Sequence, residues 1–152
     1  MDNGRGGGGM NRPIYESEED RKNEQAMANF IGAKYRLTMH KMPMKLYIDY
    51  IGIQNGKAKA FFEMRQRGNA MRQYPTFMLG MHKVKSAHDL ASVTGLPCCL
   101  VVQWTDHLGM CRLPPPESAN LYWDWGGHNQ RGDPQDMEPV AYFDISAFKV
   151  LR

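Results

Sequence analysis

The dipeptide Asn55-Gly56 constrains this chain more than any other pair of residues. It stands between "KLYIDYIGI" and "KAKAFFEMRQR", two runs rich in β-branched and aromatic side chains. Asn-Gly readily takes the left-handed conformations of a tight hairpin turn, so the runs read as antiparallel strands of one hairpin. Side chains alternate faces along a strand, so the length of the turn decides which residues meet. A two-residue loop pairs Gln54 with Lys57, sets Asp49 opposite Phe62 and sends Glu63 to the other face. A three-residue loop with Gly56 in a bulge pairs Gln54 with Ala58 and sets Asp49 opposite Glu63. If these two acids share a task, the hairpin must contain that bulge or an equivalent slip.

The rest of the chain supplies elements to surround the hairpin. Residues 1 to 16 read as a Gly-rich disordered leader, and 17–152 as a single domain. "SEED", Ser17 to Asp20, is a capping box that opens a helix running to about Ala33, with Met27, Phe30 and Ile31 as its apolar stripe. Glu24 lies at the N-terminal end of that stripe and points toward the domain. After the hairpin, Phe77, Met81, Val84 and Ala91 recur at helical spacing, which predicts a second helix from about Pro75 to Thr94, stopped by Gly95 and Pro97. "CCLVVQW" reads as a strand buried on both faces, "MCRL" as its hairpin partner, "VAYF" as a further strand and "SAFKVL" as a terminal helical turn. "LYWDWGGHNQRGD" reads as a loop folded onto the core, its Trp123 and Trp125 otherwise a stacking platform for bases. Tyr74 reads as a cap of the second helix. This order predicts an α/β domain, a mixed sheet flanked by helices.

Composition limits the functions open to such a domain. A chain of 152 residues with 42% hydrophobic residues buries a core without staples. Cys98, Cys99 and Cys111 lack C-x-x-C spacing and read as reduced core thiols. No apolar run approaches the about 20 residues that span a bilayer, and the N-terminus has no signal core, so a cytoplasmic protein without membrane contact is expected. Charge is segregated: Lys57 to Lys85 holds seven Lys or Arg against one acid, and Glu117 to Asp144 holds six acids against one Arg. His40, His88, His107 and His128 are scattered and receive no metal role.

The lone acid of the basic segment is Glu63, with Arg65 two residues on and facing the same way. Phosphodiester hydrolysis needs a divalent cation held by one or two carboxylates, and a cationic group near the developing charge. Asp49, Glu63 and Arg65 would meet that need. Here the sequence resembles the PD-(D/E)XK nucleases: Asp49, thirteen residues, then Glu63-Met64-Arg65, with Glu24 at the family's helical acid. The resemblance spans about Ser17 to Trp104 and looks closest to small phage-encoded members. It implies a restriction-endonuclease-like core, Mg (or Mn) held by Asp49, Glu63 and Glu24, and DNA as substrate. The motif's lysine is replaced by Arg65, which stays protonated and cannot act as a base. Lys83, or His82 beside it, would supply the missing role from the second helix. Lys57, Lys59, Arg67, Arg72 and Lys85 are expected along the nucleic-acid backbone.

Three functions follow. The first is a metal-dependent endonuclease with Asp49, Glu63, Arg65 and Lys83 at its centre, acting alone or as a homodimer. The second, favoured by Arg65, is a nuclease-like fold that has given up cleavage and binds DNA or a host protein in the host cytoplasm. The third is a structural protein packing a Met-rich surface, drawn from 12 methionines, on a partner.

Overall fold

A computed structural model describes residues 17–43, 46–113, 121–126 and 138–152, with backbone alone for 121–126 and 138. The expected leader, the Pro114–Pro116 loop and the aromatic side chains at 123 and 125 lie outside the described residues. Helix α1 (Glu18–Tyr35) starts on the expected capping box: Ser17 Oγ accepts from the Asp20 amide, and Asp20 accepts from the Ser17 amide. Arg36, in the left-handed region with φ of 55°, ends it. Among the described residues nine strands follow in two sheets. The larger sheet has the order β1-β2-β3-β5-β6-β9, from β1 (Thr38–Lys41), β2 (Tyr50–Gln54), β3 (Lys57–Gln66), β5 (Cys98–Gln103), β6 (Leu108–Arg112) and β9 (Lys149–Val150). The smaller has the order β4-β8-β7, from β4 (Thr76–Gly80), β8 (Glu138–Asp144) and β7 (Leu121–Gly126). Helix α2 (Met81–Thr94) lies in the crossover from β3 to β5, and those two strands run parallel.

Each face of the large sheet has its own cover. On one face Met27, Ala28 and Ile31 of α1 pack with Phe62, Met64 and Val101. On the other, Phe61, Leu100 and Val102 pack with Val84 and Ala87 of α2 and with Phe77, Leu79, Ala141 and Phe143 of the small sheet. β5 is therefore buried on both sides, as its continuous apolar sequence predicts. Burying a side chain such as Leu100 or Phe143 is worth about 1.5–3 kcal/mol, so these two packed faces dominate the fold's stability. Among the described residues no helix is long and apolar enough to cross a membrane. The cysteines are free thiols, Cys98 and Cys111 buried and Cys99 half-buried, and burial pushes Cys111 up to about 12.

Four readings of the sequence need correction. Residues 76–80 are strand β4, with alternating burial, and α2 begins only at Met81. Phe77 belongs to that strand's buried face, and its helical spacing from Met81 is coincidental. Tyr74 consequently does not cap the second helix, whose N-cap is Gly80; it is exposed and closes a 3-10 turn, Met71–Gln73. "LYWDWG" is strand β7 and not a loop. Near the end, a 3-10 turn at Ile145–Ala147 is followed by β9, which pairs with β6. β1 was not foreseen at all.

Candidate active site

The hairpin decides the site. Asn55 and Gly56, with φ of 51° and 71°, form a two-residue turn that pairs Gln54 with Lys57. Extended without interruption, this register would scatter the two acids. It breaks between Gly52 and Ile53: Ile53 faces Ala58 while Gly52 faces Ala60, leaving Lys59 as the extra residue of a bulge. Gly52 suits the break, since a Cβ there would sit 3.0 Å from both Leu37 Cδ1 and Phe62 Cε2. Beyond the bulge Tyr50 faces Phe62, so Asp49, one residue before β2, falls opposite Glu63. The slip that a facing pair requires is present, inside the strands and not in the turn.

Glu63 is 1% exposed. It lies on the face covered by α2, and that helix delivers its counter-charge: Lys83 Nζ is 3.2 Å from Glu63 Oε1 and 3.4 Å from Oε2. Arg65 Nη2 lies 3.0 Å from Glu63 Oε1. Burial raises the Glu63 carboxyl to about 7; Arg65 and Lys83 pull it down, and the like charge of Asp49 pushes it up. Lys83 also donates to the Tyr47 carbonyl at 2.7 Å. Tyr47 has a φ of 58°, sparsely populated for a residue with a side chain, and its ring meets His82 edge-on at 5.5 Å. The loop before Asp49 is thus clamped to the start of α2.

Asp49 is held from three sides. Its backbone carbonyl accepts from the Met42 amide at 2.6 Å, its Oδ2 from the Met64 amide at 2.8 Å, and its Oδ1 from Lys41 Nζ at 3.5 Å. Lys41 Nζ also ion-pairs with Glu24 Oε1. Three carboxylates (Glu24, Asp49, Glu63) thus interlock with three cations (Lys41, Arg65, Lys83). Beside them opens a groove of about 270 Å³ lined by Asp20, Glu24, Met64 and Arg65, among others.

The structure brings Asp49, Glu63, Arg65 and Lys83 together, and reaches Glu24 through Lys41. The remaining basic residues are dispersed. Lys57 and Lys59 are exposed at the hairpin tip, and Arg72 and Lys85 are exposed elsewhere. Arg67 is spent on packing: its guanidinium stacks 4.5 Å from the Phe77 ring centroid and donates to the Met78 carbonyl at 3.1 Å, and burial lowers it to about 10. Sequence reasoning missed Lys41 and Tyr47. Lys41 closes a four-residue edge strand whose polar sequence carries no alternation, and nothing in the sequence marks Tyr47 as left-handed.

Two observations test whether a divalent cation fits. Glu63 is a buried carboxylate whose protein cations leave it well above its ordinary range, a state that a further positive charge would relieve. Arg65 Nε is buried with no hydrogen-bond partner among the described residues, a polar atom beside the acids that these residues leave unsatisfied. Among the described residues no group of three or more His, Cys, Asp and Glu could hold a metal. The strand register sets Asp49 opposite Glu63, two all-oxygen donors suited to a hard cation that keeps waters and substrate oxygens as its other ligands. The residues fit such an ion.

A family described as "Phage putative PDDEXK endonuclease" matches residues 10–151. The chain belongs to this family. The resemblance read from Asp49 and Glu63-Met64-Arg65 is borne out, and membership supports a nuclease function. Among solved structures the chain is similar to Hjc, a Holliday junction resolvase from the archaeal hyperthermophile Archaeoglobus fulgidus. The TM-score is 0.56 at 8% identity, over 86% of this chain and 90% of that one. At that identity the likeness is one of fold, the restriction-endonuclease-like core expected from the sequence. No curated protein matches the chain.

Proposed function

We propose that the protein is a metal-dependent endonuclease that hydrolyses DNA phosphodiester bonds at the Asp49–Glu63 pair. The observation that carries this reading is the bulge at Lys59, which sets Asp49 opposite a buried Glu63 flanked by Arg65 and Lys83. Asp49 and Glu63 would hold Mg or Mn, with Glu24 close by through Lys41. The ion would supply Lewis-acid polarisation of the phosphate and a more acidic water.

The chain's own residues account for the rest. Arg65, permanently charged, cannot take a proton from water; its partly exposed side chain would present the guanidinium to a phosphate oxygen while negative charge builds there. Lys83 spends its donors on Tyr47 and Glu63, so it orients and neutralises the carboxylate. Water attacks phosphorus and gives up a proton to solvent, the P–O bond to the leaving group breaks, and that oxygen takes a proton from solvent water. Lys57 and Lys59, with Arg72 and Lys85, are the exposed cations for the DNA backbone. Because the fold neighbour is a resolvase, branched DNA belongs among the substrates to try.

A second reading has one observation in its favour. All three carboxylates already carry protein counter-ions, as would suit a nuclease-like module that binds DNA or a protein without cutting. A cleavage assay on supercoiled, linear, branched and single-stranded DNA with Mg or Mn decides between them. Cutting by wild type that is lost in Glu63→Ala supports the enzyme. No cutting by wild type, with activity gained in Arg65→Lys, supports the binding module.

A further inference from the structure

Lys41 is a charged residue of the site that neither the acid motif nor the basic segment accounts for. It is not a free surface lysine. β1 pairs it opposite Tyr50, and its Nζ lies 5.3 Å from the Tyr50 ring centroid. That fixed stem delivers one ammonium to two carboxylates, Glu24 of α1 and Asp49 at the entrance of β2.

A divalent cation bound through Asp49 would enter the same negative field. Two positive charges a few ångströms apart in a partly desolvated site repel strongly, and each weakens the other's hold on a shared carboxylate. Resting on the metal-site reading above, we propose that Lys41 is a built-in counter-ion. It neutralises Asp49 and Glu24, competes with a divalent cation for them, and so sets the concentration at which the site fills. It gives Glu24 a part as the anchor of Lys41 whether or not it becomes a ligand.

The test titrates Mn²⁺ alone, without DNA, into the full chain, and reads binding by calorimetry and by the paramagnetic resonance of free Mn²⁺. Lys41→Met keeps an unbranched stem over Tyr50 and removes the charge. Lys41→Arg keeps the charge, and Lys149→Met removes one charge from the exposed edge strand β9. Circular dichroism and melting establish that each variant is folded. The expected result is at least about 5-fold tighter Mn²⁺ binding in Lys41→Met, with the other two variants close to wild type. Adding Glu63→Ala to Lys41→Met should abolish the binding, which would locate it. Binding by Lys41→Met alone, lost with Glu63→Ala, would support the counter-ion in its strongest form. Wild-type binding that Lys41→Met leaves unchanged or weakens overturns the counter-ion and leaves the metal site standing. No binding by any folded variant overturns the metal site and the counter-ion with it.

Discussion

The β2–β3 hairpin has two ends that obey different physics. At the tip, Asn55 and Gly56 make a solvent-exposed turn flanked by Lys57 and Lys59, where charge is cheap because water screens it. At the base, Glu63 is sealed beneath α2 and depends on Arg65 and Lys83 for neutralisation. The bulge at Lys59 separates them. The base cannot slip, because a one-residue shift would turn Phe62 and Met64 away from α1 and Phe61 away from α2. The turn also holds its preferred two-residue form, and the odd residue is left over at Lys59. The core thus dictates the register of the acids, and the strand absorbs the odd residue as a bulge at Lys59.

The most severe test of this contrast removes the base's acid. Glu63→Ala should abolish metal-dependent cleavage, a fall on the order of 1,000-fold or more, the scale on which removing a strong electrostatic element acts. The drop is to be measured on whichever DNA form wild type cuts, with the melting temperature confirming the fold. Cleavage that persists in a folded Glu63→Ala protein would place the chemistry elsewhere.

The same burial has a signature in stability. Below about pH 4.5 Glu63 is neutral in both the folded and the unfolded chain and contributes no pH dependence. Between there and about pH 7 the unfolded chain ionises while the folded one keeps its proton, so folding stability falls as pH rises, by on the order of 3 kcal/mol, and then levels off. Urea denaturation across pH 5 to 8 should show that fall in wild type, less of it with Mg²⁺ present, and a shallower profile in Glu63→Gln. Identical profiles for the two proteins would mean that the base is as well hydrated as the tip.

How much of this was legible beforehand divides along the same line. Features with local causes could be read: the Ser17–Asp20 cap, the Asn55-Gly56 turn, and β5 from its continuous apolar run. The Asp49–Glu63 pairing was visible as one of two alternatives, because an odd count of thirteen residues between them requires a slip somewhere. Placing the slip at Lys59 needed the approach of Leu37 and Phe62 to Gly52, which is tertiary. β4 was misread because Phe77 and Met81 happen to fall at helical spacing, and β1 because an exposed edge strand needs no apolar alternation. With β1 went Lys41, so the full charge network could not be assembled from sequence.

At the tip, effects should be modest and salt-dependent. Lys57→Ala with Lys59→Ala should weaken DNA binding a few-fold at physiological salt and flatten the dependence of log affinity on log salt by about 2, roughly 1 for each phosphate no longer neutralised. Mn²⁺ affinity at the base should not change. An unchanged salt slope would remove the tip from the DNA path and leave that role to Arg72 and Lys85.

The smallest expected effect tests the independence of the two ends. Deleting Lys59 leaves twelve residues between Asp49 and Glu63, an even number that a two-residue turn and regular pairing accommodate without a bulge. Gln54 would still face Lys57, Ile53 would face Ala58, Gly52 would face Ala60, and Asp49 would remain opposite Glu63. The deletion should therefore match Lys59→Ala in Mn²⁺ affinity and in cleavage to within about 3-fold, even though shortening a strand next to a catalytic pair usually costs far more, about 100-fold for a misplacement of 1 Å. A large loss confined to the deletion would show that the bulge sets the approach of Asp49 to Glu63 through local twist. In that case the extra residue is part of the site, and the hairpin is one unit and not two.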